Sequence, residues 1–574
     1  MDPKIFPKVE VPARRKDCFI PSNMPSNESF SDEPIHIDPT QWAFAPRKLR
    51  VVCIGAGFSG LILAHKLKHE QPLDFVDFTI YEKNSEVGGT WFENVYPGVG
   101  CDIPAHSYIF PFEPNPSWSK CYVGGAEIQK YILDTVEKYG LTEPIQFNTK
   151  LITSIWNEST GKWSLQLKQN DGGIINDEAD ILINASGILN RPKLPNIPGL
   201  NSFRGKILHT AAWDTSYEWE GKNIAVIGNG SSGIQVVPAI QPKAAKLRNY
   251  IRNPTWVSVN LCPDITKDGM GTNFEYTEEE KAMHRNDPQA FLEYRKRVER
   301  SVNSVYSLML ANSDLNRFIG TATEGVMRQR LSENPHLMEK LIPKYDVGCR
   351  RLSPGDGYLE AMQQPNAKWC FEGIEEITPT GIRTAAGEED FDLIVCATGF
   401  DTSFIPGWEF TGRDGRRLEN EWKNSPEAYF SICAAAAPNY FMFAGPNCPI
   451  GHGSVPQMLS WSADYMLKWV QKIAREDIKS IAVSDSVVRN YNRRAQNLLK
   501  NTVWSRGCNA WYNNGSIVTA MYPGSVIHFK EAVSNIRGED FHIQYNTPDP
   551  FHYLGNGELQ WEREEGGDLG YYLE

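Results

Sequence analysis

The sequence predicts an α/β fold with two Rossmann-like dinucleotide-binding domains and a helical insertion. Three observations predict it. Gly55-Ala56-Gly57-Phe58-Ser59-Gly60 follows an apolar run at residues 49–54, and Gly228-Asn229-Gly230-Ser231-Ser232-Gly233 follows a second apolar run at 224–227. Residues 277–344 are charged and helical in pattern, without strand signals. Each glycine fingerprint stands where a strand turns into a helix. There the glycines permit a tight turn, a pyrophosphate approaches backbone amides, and the helix N-terminus supplies partial positive charge. Two such turns, 173 residues apart, imply two dinucleotides or one fold duplicated.

The residues after each turn point to different dinucleotides. Phe78-Thr79-Ile80-Tyr81-Glu82 reads as a second strand ending in an acid 22 residues beyond Gly60, placed for a ribose 2′-hydroxyl. The matching strand of the second unit, near 247–251, ends in Arg252 and Asn253 with no acid. A carboxylate would repel a 2′-phosphate, whereas a guanidinium pairs with it through two hydrogen bonds. FAD is therefore expected on Gly55, Gly57, Gly60 and Glu82. NADP(H) is expected on Asn229, Gly230, Ser231, Ser232, Gly233, Ile234, Gln235, Arg252 and Asn253. Taken alone, Arg252 reads equally well as a solvated surface arginine.

Along the chain, residues 1–47 read as an extended arm interrupted by prolines. A first FAD-binding part spans 48–205. It includes a helix at 126–138, a sheet-like alternation at 150–167 turning near Gly161, and a buried strand at 179–187. An NADP-binding domain spans 206–375 and holds the helical insertion. A second FAD-binding part spans 376–543, and an acidic tail spans 544–574. The apolar run Phe391-Asp392-Leu393-Ile394-Val395-Cys396, ending at Gly399, is similar to the strand by which two-dinucleotide flavoproteins re-enter the FAD domain. That likeness implies that the NADP domain is inserted into the FAD domain and that the chain crosses between them twice.

A chain of 574 residues with 41% apolar content can build two or three sizeable cores. Its net charge of −12 argues against broad nucleic-acid or anionic-membrane binding. No apolar stretch approaches the roughly 20 residues that span a bilayer, and the first 47 residues lack the apolar core of a signal peptide. A soluble cytoplasmic protein is expected. None of the 11 cysteines is spaced C-x-x-C, so no zinc knuckle, other metal site or redox-active disulfide is signalled. The sequon Asn229-Gly230-Ser231 lies inside a cofactor turn, where glycosylation would block the site.

Between the fingerprints, Phe203-Arg204-Gly205-Lys206-Ile207-Leu208-His209-Thr210-Ala211-Ala212-Trp213-Asp214 resembles the signature of the Baeyer–Villiger monooxygenases, F-x-G-x-x-x-H-x-x-x-W followed by Pro or Asp. N- and S-oxygenating relatives usually carry Phe or Tyr in place of Trp213. Without the resemblance, His209 and Trp213 read as packing at a domain joint. The resemblance gives Phe203, Gly205, His209, Trp213 and Asp214 a similar part, coupling NADP binding to domain rotation. It extends over residues 48–543. Gly88-Gly89-Thr90-Trp91 matches the family segment along the flavin, which assigns Gly89, Thr90 and Trp91 to FAD. Tyr96-Pro97-Gly98-Val99-Gly100-Cys101-Asp102-Ile103 matches a segment facing both cofactors. Gly100, Cys101 and Asp102 are thereby assigned to NADP, and Asp102, Ile103 and Tyr108 to FAD. Gly348-Cys349-Arg350-Arg351-Leu352 matches the family's G-T-K-R-L, with Arg350 near the 2′-phosphate and Arg351 at the catalytic arginine. Trp511 matches a tryptophan between nicotinamide and substrate.

The resemblance implies that NADPH reduces FAD and that one atom of O2 is inserted beside the carbonyl of a small-molecule ketone, giving an ester or lactone. Arg351 would keep the activated oxygen anionic and stabilise charge on the substrate oxygen, and Asp102 would hold Arg351 in place. A bulky ketone of specialised metabolism fits this resemblance. The alternatives are a flavin N- or S-oxygenase or hydroxylase, and an NADPH-dependent electron-transfer reductase. The sequence leaves the oligomeric state open.

Overall fold

The computed structural model describes residues 37–258, 262, 264–269 and 271–573. Among the described residues two compact units emerge, one combining residues 37–43 with 554–573, the other lying within 44–553. Within the smaller unit Asn556 N donates to Gln41 O and Ala43 N to Glu558 O, both at 2.8 Å, so the end of the N-terminal arm is laced to the tail. Residues 1–36 of the expected arm lie outside the described residues.

The larger unit holds the two predicted Rossmann sheets. The chain runs through β1 (Leu49–Ile54), α1 (Phe58–His65), β2 (Val76–Tyr81), α2 (Gly125–Tyr139), β3 (Ile145–Gln146) and β4 (Ile181–Asn184). It continues through β5 (Lys206–His209), β6 (Asn223–Ile227), α3 (Ser231–Ile240) and β7 (Lys246–Tyr250). The insertion follows as α4 (Glu278–Asn286), α5 (Pro288–Ser304) and α6 (Asp314–Arg330), and then come β8 (Ala367–Cys370), β9 (Leu393–Cys396), β10 (Tyr440–Met442) and α7 (Val455–Arg475).

The first sheet has the order β10-β4-β1-β2-β3 and the second β8-β7-β6-β9-β5, and both are parallel. Their central strands are apolar on both faces, as a sheet covered on two sides requires: Val52, Cys53, Ala225 and Val226 are fully buried. Helix α2 ends at Gly140, whose φ of 59° is left-handed and cheap only for glycine. Residues 149–179 form an antiparallel meander that turns at Gly161, as the alternation predicts, and Glu409–Thr411 joins it in parallel.

One expectation is corrected. The 391–401 run does not re-enter the first domain; β9 pairs with β6 and β5 in the second sheet. The expected boundary at 375/376 therefore falls inside the second domain, and the first sheet regains the chain only at β10. Local apolarity marks a buried parallel strand but does not say which of two sheets it joins. The two crossings lie side by side: Lys193 N donates to Gly399 O and Asp401 N to Arg191 O, both at 2.9 Å.

Candidate functional site

The first glycine turn is built as the fingerprint requires. Gly55 has φ +112°, and a Cβ there would stand 2.6 Å from Ala185 O; a Cβ on Gly60 would collide with Gly55 O. Gly57 caps α1 without any side-chain cap, leaving first-turn amides as donors for an anion. Gly89 closes against it, since a Cβ on Gly89 would lie 3.1 Å from Gly57 Cα. Glu82 is buried and accepts from Ala56 N at 2.7 Å and Asn84 N at 2.9 Å, so the glycine turn itself fixes the acid. Burial raises its carboxyl pKa despite those amides. Trp91 is buried and its Nε1 donates to the Tyr108 hydroxyl at 3.2 Å, whereas Thr90 is exposed and Ile103 buried.

The second turn repeats the design. Gly230 caps α3 with no side-chain cap, and a Cβ on Gly228 or Gly233 would meet backbone, at 2.4 and 2.6 Å. Asn229 Nδ2 donates to Asn253 O at 3.1 Å, and the Ser231 hydroxyl shares a hydrogen bond with Ser353 at 2.8 Å. Gln235 accepts from Tyr96 OH at 2.6 Å and donates to Gly100 O at 3.0 Å, tying α3 to the 96–102 segment of the first domain. Ser232 also meets Tyr96, and Ile234 and Gly233 are buried. Arg252 is exposed, and Arg350 Nη1 reaches Thr255 Oγ1 at 3.4 Å, bringing both cations to one loop. The donor sets at both turns fit a dinucleotide pyrophosphate.

Arg351 meets Asp102 across 249 residues of sequence. Its Nε and Nη2 donate to the two carboxylate oxygens at 2.8 and 2.6 Å, and Nη1 donates to Ile450 O at 3.1 Å. The arginine side chain remains 30% accessible and the aspartate 20%, so part of the pair stays open although protein surrounds it on most sides. Burial alone would lower the guanidinium pKa, but the charge and hydrogen bonds of Asp102 raise it well above the usual arginine value. Cys101, pushed up to about 12 mainly by burial, stays a neutral thiol beside the pair.

The structure also brings in residues that sequence reasoning missed. Ile450 supplies a backbone acceptor, which no side-chain motif announces. Tyr512 is buried and close enough to Arg351 for the two to perturb each other's titration, while Trp511 is half-buried with its ring 4.7 Å from that of Tyr512. A disulfide joins Cys349 to Cys508; the partners lie 159 residues apart, where no short motif can signal them, and the absence of C-x-x-C spacing bears only on redox pairs of that type.

The 203–214 motif sits apart from the ion pair, on the edge strand β5 and the turn after it. A Cβ on Gly205 would meet Asp392 O and the Phe203 ring at 2.6 Å, which explains the glycine. His209 and Trp213 are buried, and Asp214 pairs with Lys206 at 2.6 Å, which holds its carboxyl down at about 2.

The flavin-binding monooxygenase-like family model matches residues 48–319. The chain is 61% identical to the FAD-binding monooxygenase tazF of Aspergillus terreus over 96% of this chain and 100% of that one. It is 34% identical to a Baeyer-Villiger monooxygenase of Pseudomonas aeruginosa, covering 89% of this chain and 94% of the relative. Among solved structures, cyclohexanone monooxygenase from Rhodococcus sp. Phi1 bound to NADP+ superposes with a TM-score of 0.73 at 24% identity, over 87% of this chain and 100% of the other, a likeness of fold.

Proposed function

Since the chain belongs to the flavin-binding monooxygenase family, we propose that it inserts one oxygen atom from O2 beside the carbonyl of a bulky specialised-metabolite ketone, releasing an ester or lactone. Its cofactors are FAD and NADP(H). Bound FAD supplies oxygen activation, and NADPH supplies the reducing equivalents. Gly55, Gly57, Gly60, Glu82, Gly89, Thr90, Trp91, Ile103 and Tyr108 are assigned to FAD. The 229–235 turn, Arg252, Asn253, Arg350, Gly100, Cys101 and Trp511 are assigned to NADP(H).

The observation that carries the reading is the valence count at Arg351. A guanidinium has five N–H donors. Asp102 takes one on Nε and one on Nη2, and Ile450 O takes one on Nη1, which leaves one N–H on each terminal nitrogen. A fixed cation with two unspent donors suits a negatively charged attacking oxygen and the oxyanion that forms on the ketone after attack. Asp102 acts as the positioning group, because its two oxygens lock the plane of the guanidinium. Neutral Cys101 adds no competing negative charge.

Turnover of a ketone panel under ¹⁸O2 tests the proposal. Esters or lactones carrying one labelled atom, with NADPH consumption dependent on the ketone, are expected. Products confined to N-oxides, sulfoxides or alcohols would reject ketone insertion. NADPH oxidation that delivers electrons to a quinone without any oxygenated product would place the enzyme among the reductases.

A further inference from the structure

Cys349 and Cys508 link two loops, one carrying Arg351 and the other Trp511 and Tyr512. Their Cα atoms are 6.2 Å apart, and both residues are buried, whereas the eight other described cysteines are free thiols. The bond stands two residues before Arg351 on one strand of the link and three before Trp511 on the other. Each loop is anchored on its own side. Gly348, at φ +88°, packs on Met309, where a Cβ would stand 2.9 Å from the sulfur, and Cys349 N donates to Asp346 O at 3.2 Å. Across the link, Asn513 Nδ2 donates to Trp504 O at 3.1 Å and Thr519 N to Tyr512 O at 2.9 Å. Between these anchors the 506–511 stretch holds the arginine loop weakly. Arg506 lies 3.7 Å from Asp346 with both side chains more than a third exposed, and Ala510 N bonds only locally, to Cys508 O at 3.1 Å.

We propose that Cys349 and Cys508 are positioning residues, whose disulfide holds the Arg351 guanidinium in register with the Trp511–Tyr512 segment across the site. The bond fixes the distance between the loops, and the Asp102 pair fixes the orientation of the guanidinium. Burial slows thiolate attack on both sulfurs, so the link yields only to a large excess of reductant. The geometric claim stands by itself; its consequence for oxygenation rests on the function proposed above.

Peptide mapping of the FAD-loaded enzyme, alkylated without reductant, is expected to recover the 349 and 508 peptides as one linked species. Alkylation of both residues would overturn the proposal. Wild type, Cys349→Ala, Cys508→Ala and the double variant are then compared by hydrogen exchange at 346–352 and 506–513, and by NADP⁺ affinity. Exchange in both segments should rise about tenfold, and NADP⁺ binding should weaken about fivefold. The double variant should match either single one, because losing either sulfur loses the whole bond. Unchanged exchange, or additive losses, would overturn the assignment.

If the variants do not fold, wild-type holoenzyme reduced with dithiothreitol carries the same test. A reagent thiolate attacks Cys508 Sγ, the S–S bond breaks, and Cys349 leaves as a thiolate and takes up a proton. The second reagent thiol then frees Cys508 and the reagent departs as its cyclic disulfide. Removing the reductant and reoxidising with oxidised glutathione, which is reduced to two glutathione thiols as the Cys349–Cys508 bond re-forms, should restore slow exchange; faster exchange that persists with the bond re-formed would overturn the tether. Failure of wild type to oxygenate any ketone would sink the proposed reaction and leave these readouts intact. Ester formation with unaltered loop exchange in the variants would sink the tether alone.

Discussion

Arg351 is held by a bidentate carboxylate while almost a third of its side chain stays accessible. That combination separates positioning from charge. Replacing Arg351 with Ala should leave the flavin spectrum and FAD content unchanged, because FAD is assigned to the glycine turn and Glu82. Oxygen insertion should fall by about 10²–10³ or more, the scale for losing an electrostatic donor. Arg351→Lys keeps the charge but cannot offer two parallel donors to Asp102, so its rate should lie between the two. Chromatographic yield of ester checks both, and normal yield from Arg351→Ala would remove the residue from the mechanism. The second cation is tested through the coenzyme. Arg252→Ala should raise KM for NADPH more than for NADH, since only NADPH carries the 2′-phosphate; equal changes would contradict that contact.

The elements divide into those legible in the sequence and those not. The strand–glycine–helix turns were legible because their function demands glycine where a Cβ would strike backbone, and Gly55, Gly60, Gly228 and Gly233 all meet that condition. The corresponding prediction is that Gly60→Ala, whose Cβ has no room against Gly55 O, yields protein with little bound FAD; full flavin content measured by absorbance would refute it. The helical insertion was legible from periodicity. Less visible was the membership of β9, because a four-residue apolar strand carries no address. Asp102 and Arg351, and the hold of one on the other, were placed by a family pattern, but the bidentate geometry needed the fold, and Ile450 entered through a carbonyl that every residue possesses. Tyr512 stood next to a recognised tryptophan, yet only the structure shows that it lies near enough to the guanidinium to feel its charge.

For the whole molecule, the consequential arrangement is the pair of antiparallel crossings between the two sheets, with Pro192 bridged to Phe400 and Arg191 paired with Asp401 at 2.8 Å. That ion pair is exposed on both sides and contributes about 0–1 kcal/mol, so the crossing is not locked by charge. His209 buttresses it instead. Its Nδ1 accepts from Ala211 N at 3.0 Å, its ring lies 6.1 Å from that of Phe400, and its Nε2, without a well-formed hydrogen bond, faces the Gly399 carbonyl. Burial lowers its pKa below the ordinary histidine value, so the ring is neutral at pH 7 and above. A neutral wedge at a crossing should govern domain movement and not proton transfer. His209→Asn should therefore change kcat and KM for NADPH together, by about tenfold, while FAD content stays constant. The pH profile of kcat/KM should keep its shape from pH 7 to 9, because burial holds the wild-type ring's pKa below its ordinary value near 6.5 and the ring is already neutral there. Loss of an inflection near 6.5 in the variant would instead make His209 a proton-transfer group and remove the joint as the reason for the motif.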